Sequence, residues 1–123
     1  MIPILTVVLI LALHWLADFV CQTRWMSQNK SKSMRALLAH TGVYTIVNTA
    51  GWWVTGIADN FYPDVIIIGF LNFTFHTATD HFTSRLTARL WAKGRTQLFF
   101  TAIGFDQLLH YLQLFGTWYY LYG

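Results

Sequence analysis

The chain has 123 residues, of which 55% are hydrophobic and only 11% are charged. Its eight basic residues outnumber five acidic ones, which gives a formal net charge of +3. A water-soluble domain of this size carries about twice that share of charge, so the composition argues against one and favours a chain surrounded largely by lipid. Cys21 is the only cysteine, which excludes a disulfide within the chain.

Four apolar windows predict four helices, in chain order at about 2–22, 35–57, 64–86 and 97–122. Each window is close to the roughly 20 residues that cross a 30 Å hydrocarbon core. No window has the broad charged face of a surface helix in a soluble bundle. We therefore expect an all-α fold, in which residues 1–123 form a single transmembrane domain with a four-helix transmembrane bundle.

The basic residues predict an orientation for this bundle. All eight lie in the first and third connections, whereas the second connection contains only the acidic Asp59 and Asp64. Because Lys and Arg near helix ends stay on the cytoplasmic side, we expect both termini outside, an N-out/C-out topology. The sequence thus predicts a multi-pass protein of the bacterial inner membrane, with the lipid bilayer as its partner and no nucleic acid.

Polar side chains interrupt the apolar windows at a regular spacing. Each of three aspartates has a histidine four residues away, in the pairs His14–Asp18, His76–Asp80 and Asp106–His110. Four residues are about 400° of helix rotation, so each pair shares one face. The second helix adds His40. An unpaired aspartate at a helix centre costs about 2.5–3.5 kcal/mol in a bilayer, so these faces should meet inside the bundle.

Histidine and carboxylate together are the ligand chemistry of divalent transition metals. We expect one or two ions, with zinc favoured and manganese or iron as alternatives, bound by His14, Asp18, His40, His76, Asp80, Asp106 and His110. A carboxylate not fully engaged by metal could serve as catalytic base, with Asp18, Asp80 and Asp106 as candidates. Hydrogen-bonding support is predicted from Gln22, Tyr44, Asn72 and Gln107, although such residues more often only join helices.

The same residues carry a family resemblance. The segment His14-Trp-Leu-Ala-Asp18-Phe19, followed by Gln22-Thr23, Trp25-Met26 and Asn29-Lys30-Ser31, resembles the opening of domain of unknown function 3307, a family of small membrane proteins from phages and bacteria. The resemblance continues over nearly the whole chain, at His40 and Tyr44, at Asn72, His76 and Asp80, and at Asp106-Gln107 and His110. More loosely, the pattern is similar to membrane-bound metal-dependent hydrolases. The first resemblance implies no activity, and the second implies hydrolysis by analogy only.

The leading hypothesis is a membrane-embedded, metal-dependent hydrolase that acts at the cytoplasmic leaflet on an anionic, phosphorylated or lipid-like substrate. Lys30, Lys32 and Arg85 are candidates to hold its anionic group, although such residues more often only set topology. Two alternatives stay open: a phage-type membrane interaction protein without catalysis, and a proton or ion pathway along the His/Asp stripe. A homo-oligomer is compatible with all three hypotheses, and the sequence does not decide whether the chain is an enzyme.

Overall fold

The computed structural model describes all 123 residues and contains helices but no strand, so the prediction of an all-α fold is confirmed. The helices, in chain order, are α1 (Ile4–Trp15, continued by a π-helical turn at Leu16–Val20), α2 (Arg24–Asn29), α3 (Met34–Val54), α4 (Ile66–Ala92, preceded by a short turn at Phe61–Val65) and α5 (Thr96–Tyr122).

Local chemistry explains where these helices begin and end. Thr23 and Ser33 cap α2 and α3, since their hydroxyls accept backbone N–H bonds from residues three positions later. Helix α4 ends at Ala92, and Gly94 just beyond it has a φ of 68°, a left-handed conformation that favours glycine. There the Gly94 and Arg95 N–H groups donate to the carbonyls of Trp91 and Leu90. These bonds form a Schellman motif, which reverses the chain into α5.

The helices pack with an apolar and a polar region inside the bundle. Helix α4 contacts α3 and α5, and α1 with its π-helical turn contacts α3. The apolar region contains Ile10, Trp52, Ile57, Ala58, Ile68, Leu114 and Trp118. Farther along α4, the buried side chains become polar and recur every four residues, at Asn72, His76, Asp80 and Ser84. The fold therefore gathers the histidines and aspartates in one buried region.

The prediction of a transmembrane bundle is wrong. None of the helices combines the length and the apolar character that crossing a membrane requires. Helix α1 has only 12 residues before the π-helical turn, and the three longer helices carry polar residues on successive turns of their inner faces. The N-out/C-out orientation and the inner-membrane localisation depended on those spans, and both are corrected with them.

The observed helix bounds also differ from the apolar windows, because basic residues end a window without ending the helix. The third window ends at residue 86, whereas α4 continues to Ala92 through Arg85 and Arg89. Arginine is a good helix former, so a basic segment ends an apolar window without ending the helix. The first window ran to residue 22, but the α-helical part stops at Trp15, and α2 follows as a separate short helix.

Candidate metal centre

Four ionisable side chains from three parts of the chain converge inside the bundle. Asp18 comes from the π-helical turn, His40 from α3, and His76 and Asp80 from successive turns of α4. All four are buried, with Asp18 the most accessible at 4%. The four-residue step between His76 and Asp80 places both on the inner face of α4. We call these residues the four-ligand cluster.

The distances within the four-ligand cluster match a tetrahedral metal site. His40 Nε2 lies 3.1 Å from both Asp18 Oδ1 and Asp80 Oδ2, and His76 Nε2 lies 3.4 and 3.5 Å from the same oxygens. The two Nε2 atoms are 3.2 Å apart. These distances are five of the six edges of a tetrahedron. A regular tetrahedron with edges of this length has its centre about 1.9–2.1 Å from each corner, close to the usual Zn–N and Zn–O bond lengths. The cluster can therefore hold a metal ion.

The donor set itself also fits a cation. His40 Nε2 faces two carboxylate oxygens and a second imidazole nitrogen within 3.2 Å. One ring nitrogen carries at most one hydrogen, so hydrogen bonding alone cannot satisfy all these contacts. An ion at the centre would accept a lone pair from each of the four atoms at once.

A second group of potential ligands lies beside the four-ligand cluster. Asp18, Asp106 and His110 offer atoms within 4.8 Å of one another, and His110 Nε2 lies 3.0 Å from Asp80 Oδ1. The Gln107 side-chain amide already occupies part of this space. Its Nε2 donates to Asp18 Oδ2 at 3.3 Å and to Asp106 Oδ2 at 3.0 Å. These carboxylates therefore have a donor without a second ion.

His14 is buried nearby but has other partners. Its Nε2 donates to Gln107 Oε1 at 2.9 Å, because an amide oxygen only accepts, and its Nδ1 then accepts from the Tyr44 hydroxyl at 3.0 Å. Its closest approach to Asp18 is 3.5 Å, and it lies outside both ligand groups. His14 thus orients Gln107, which in turn holds Asp18.

The carboxylates of the cluster are held in their ionised form. Burial raises the pKa of Asp18, but hydrogen bonds from His40 and His76 outweigh it and leave the pKa well below its usual value. Burial likewise raises the pKa of Asp80, and the histidines around it, with His110 among them, bring that pKa well below its usual value. Ionised carboxylates are the form that binds metal.

The histidines divide into two classes. Burial lowers the pKa of His14 below its usual value, despite the nearby charge of Asp18, so His14 is a neutral group at pH 7. Burial also lowers the pKa of His110, but Asp106 and Asp80 outweigh it and raise the pKa to about 10. Burial also lowers the pKa of His40, but hydrogen bonds to the carboxylates of Asp18 and Asp80 outweigh this effect and raise that pKa above its usual value. A metal ion must displace the His40 proton to bind there.

Among the basic residues, the structure brings only Lys30 to the cluster. Its Nζ donates to Asp80 Oδ2 at 3.1 Å, the same oxygen that lies at a corner of the tetrahedron. Lys32 is exposed, and Arg85 Nη1 donates to the His81 carbonyl of its own helix at 2.8 Å. Lys32 and Arg85 therefore make no contact with the cluster.

The remaining predicted support residues belong to other contacts. Asn72 Nδ2 donates to Asn48 Oδ1 at 3.0 Å and to Thr49 Oγ1 at 3.1 Å, which joins α4 to α3 one turn from His76. The buried Gln22 Oε1 has no hydrogen-bond partner. Tyr44 stacks on the His76 ring with centroids 3.7 Å apart, and so fixes that imidazole.

Two hydroxyl residues near the cluster, Thr83 and Ser84, are not among the residues predicted from the sequence. Thr83 Oγ1 donates to Asp106 Oδ1 at 2.5 Å. Ser84 is only 8% exposed, and its Oγ has no hydrogen-bond partner. Ser84 continues the four-residue step of His76 and Asp80, so the spacing that pointed to the aspartates also pointed to Ser84. Thr83 carries no such signal.

A family model described as protein of unknown function (DUF3307) matches residues 4–122, nearly the whole chain. No curated protein and no solved structure matches the chain.

Proposed function

We propose that this chain, which belongs to the DUF3307 family, is a metal-dependent hydrolase of an anionic substrate. The observation that carries the proposal is the buried tetrahedron of two imidazole nitrogens and two carboxylate oxygens. A divalent ion there would supply positive charge that makes water more acidic and polarises a substrate oxygen.

His40, His76 and Asp18 are the residues that we assign to hold the ion. Catalytic zinc sites use three protein ligands, often two histidines and a carboxylate, and leave one position open. Asp80 is the member of the cluster that lines a cavity of about 60 Å³, together with Asp106 and Lys30. Substrate and water would therefore approach from the side of Asp80.

Asp80 and Asp106 are the candidates for moving the proton of the attacking water. Both carboxylates line the small cavity, and Asp106 lies outside the four-ligand cluster. A general base must lie within hydrogen-bond reach of the water that it deprotonates. Lys30 lies at the same cavity and would hold the anionic group of the substrate, whereas Lys32 and Arg85 have no part in this assignment.

The geometry favours zinc as the metal and a single ion per site. Tetrahedral sites of nitrogen and oxygen ligands suit zinc, whereas manganese prefers octahedral oxygen sites and non-haem iron leaves several positions open. The Gln107 amide donates to both Asp18 and Asp106, so a second ion between them would have to displace it. The proposal is therefore a mononuclear zinc centre.

A non-catalytic metal protein is the second candidate. Asp80 completes a tetrahedron of four protein ligands, which is the arrangement of structural zinc sites. In that case the ion would stabilise a helical scaffold for an interaction partner. The two candidates differ in whether Asp80 is needed to retain the metal.

The test compares metal content and hydrolysis in matched variants. Purified wild type should contain one zinc per chain and hydrolyse p-nitrophenyl phosphate. His76→Ala should lose both zinc and activity, whereas Asp80→Asn should keep zinc and lose activity by about 100-fold or more, the scale of general acid–base effects. His81→Ala is the control, since His81 lies outside the cluster and should leave both measurements unchanged.

The two candidate functions are contradicted by different results. Zinc-loaded wild type that hydrolyses the phosphate ester no faster than Asp80→Asn would contradict the hydrolase proposal. Loss of zinc from Asp80→Asn as well would then support the structural alternative. A wild type without stoichiometric metal would refute both candidates.

A further inference from the structure

We infer that the substrate is an amphiphile: its anionic group occupies the small cavity beside Asp80, and its apolar part lies in a groove that adjoins this cavity. The inference rests on the proposed function and specifies the substrate class of that same site. It starts from two observations, an unpartnered polar lining near the metal cluster and an aromatic wall outside it.

The small cavity contains donors without a partner. Ser84 Oγ is buried and makes no hydrogen bond, although it lines the cavity one turn beyond Asp80 on α4. Leaving a buried hydroxyl unpaired costs about 1–3 kcal/mol. The Lys30 ammonium, which carries three donors, uses one on Asp80. An anionic oxygen in the cavity would satisfy both groups.

A larger groove adjoins the cavity and shares its wall. The groove has a volume of about 650 Å³, and both spaces are lined by Lys30, Ser84, Thr87 and Ile103. Lys30 is the only charged residue among the 13 that line the groove. The charge complementary to an anion therefore lies where the groove meets the cavity.

Beyond these four shared residues, the groove is lined by four aromatic residues, four polar residues and Ala88. Phe19, Trp91, Phe99 and Phe100 line it, and the Trp91 and Phe99 rings pack with centroids 5.1 Å apart. Phe19, Trp91 and Phe100 are 47%, 58% and 65% exposed. Exposed aromatic side chains around a concave surface are typical of a site that binds an apolar group. An alkyl or aryl chain attached to the anionic group would cover them.

The charges of the site make anion binding depend on the metal. Three carboxylates, Asp18, Asp80 and Asp106, lie in the region, and Lys30 is the one ammonium group beside them. A divalent ion in the four-ligand cluster would add two positive charges beside Lys30 and would strengthen the attraction for an anion. An anionic amphiphile should therefore bind more tightly to the metal-loaded protein than to the zinc-free protein.

Non-hydrolysable phosphonates of increasing chain length test the inference by calorimetry on zinc-loaded protein. Methyl-, butyl- and octylphosphonate should bind with affinities that rise about two- to fourfold for each methylene buried against the wall. Phe100→Ala should weaken octylphosphonate several-fold and leave methylphosphonate unchanged. Ser84→Ala should weaken all three by the same factor. Phe70→Ala is the matched control, since Phe70 is 68% exposed outside the groove.

Inorganic phosphate separates an amphiphile from a free anion. The inference is overturned if octylphosphonate binds no tighter than inorganic phosphate, if Phe100→Ala leaves the chain-length dependence intact, or if zinc-free protein binds the series equally well. Zinc content and p-nitrophenyl phosphate hydrolysis are measured on the same preparations. If they persist while the chain-length dependence is absent, only this inference fails; if zinc is absent, the proposed function fails first.

Discussion

At the scale of single residues, the seven predicted ligands are not equivalent. His14 and His40 are both 1% exposed, and both lie among the same carboxylates. His40 directs its Nε2 to two corners of the tetrahedron, whereas both His14 nitrogens are engaged by Gln107 and Tyr44. Residue type and spacing predicted both as ligands, because neither reports where each ring nitrogen points.

A pair of equally buried histidines tests this division. His40→Ala and His14→Ala each remove one buried imidazole, so both should lower the free energy of unfolding. Only His40→Ala should abolish stoichiometric zinc, since only His40 has an atom at the tetrahedron. Metal analysis after dialysis gives the result. Loss of zinc from His14→Ala, with zinc retained in His40→Ala, would contradict the assignment of ligands.

The site also shows how far residue-level prediction reaches. The four-residue steps on α4 and α5 correctly placed His76 beside Asp80 and Asp106 beside His110. Lys30 was a candidate from charge alone, and its contact with Asp80 depends on α2 and the turn that follows it. Thr83 offered no periodic signal, so its bond to Asp106 required the packed structure.

At the scale of elements, hydrogen bonds join a connection to the end of a helix. The connection after α3 is joined to the end of α5 through Tyr122. The Tyr122 hydroxyl donates to Asp64 Oδ2 at 2.9 Å, and the same hydroxyl oxygen accepts from the Asp59 N–H at 3.2 Å. Asp64 also accepts from the Asn60 backbone N–H, so one carboxylate holds both segments.

Tyr122→Phe should lower the free energy of unfolding at pH 8 by about 1 kcal/mol, the scale of one hydrogen bond. Burial and the nearby Asp64 raise the pKa of Tyr122 to about 12. Because the folded-state pKa lies above the ordinary value of 10.0, this stabilisation is complete below pH 10 and is lost as the pH rises towards 12. Urea denaturation at several pH values should show the two proteins converging above pH 10. A constant difference would refute the coupling.

The turn between α4 and α5 offers a second test with an internal control. Gly94→Ala should destabilise by about 1 kcal/mol, because alanine is strained at a φ of 68°. Gly104→Ala within α5 should instead stabilise by up to about 1 kcal/mol, since alanine is the better helix former. A Cβ meets nothing within 4 Å at either position, so conformation alone sets the sign. Thermal unfolding should give melting temperatures that shift in opposite directions, and shifts of the same sign would contradict this explanation.

At the scale of the whole molecule, composition correctly predicted an all-helical chain and wrongly predicted that its helices span a membrane. The hydrophobicity of a window of about 20 residues is an average, and it does not show which face of a helix each residue occupies. In α3, α4 and α5 the polar residues lie on the inner faces. The same polar residues that indicated a metal site reduce the apolar character of these helices. The order of the four predicted helices could be read from the pattern, but the short helix α2 and the π-helical turn at Leu16–Val20 had no sequence signal that we recognised.

The apolar region and the metal cluster lie at different levels of the bundle, so their contributions to the free energy of unfolding should be independent. A metal that binds only the folded state stabilises it, by about 2.7 kcal/mol at a free concentration 100 times the dissociation constant. Ile68 is fully buried in the apolar region and lies eight residues from His76, roughly 12 Å along α4. Ile68→Val should therefore lower the free energy of unfolding by about 0.5–1.5 kcal/mol without changing what zinc adds.

Denaturation with and without zinc measures both contributions in one experiment. Wild type and Ile68→Val should gain the same increment from zinc, because distant sites act additively. His76→Ala should gain nothing, because it lacks one of the three residues that we assign to hold the ion. Chelator should bring wild type to its zinc-free stability and leave His76→Ala unchanged. An equal zinc increment in all three proteins would show that the ion binds elsewhere, and the assignment of the four-ligand cluster would then be wrong.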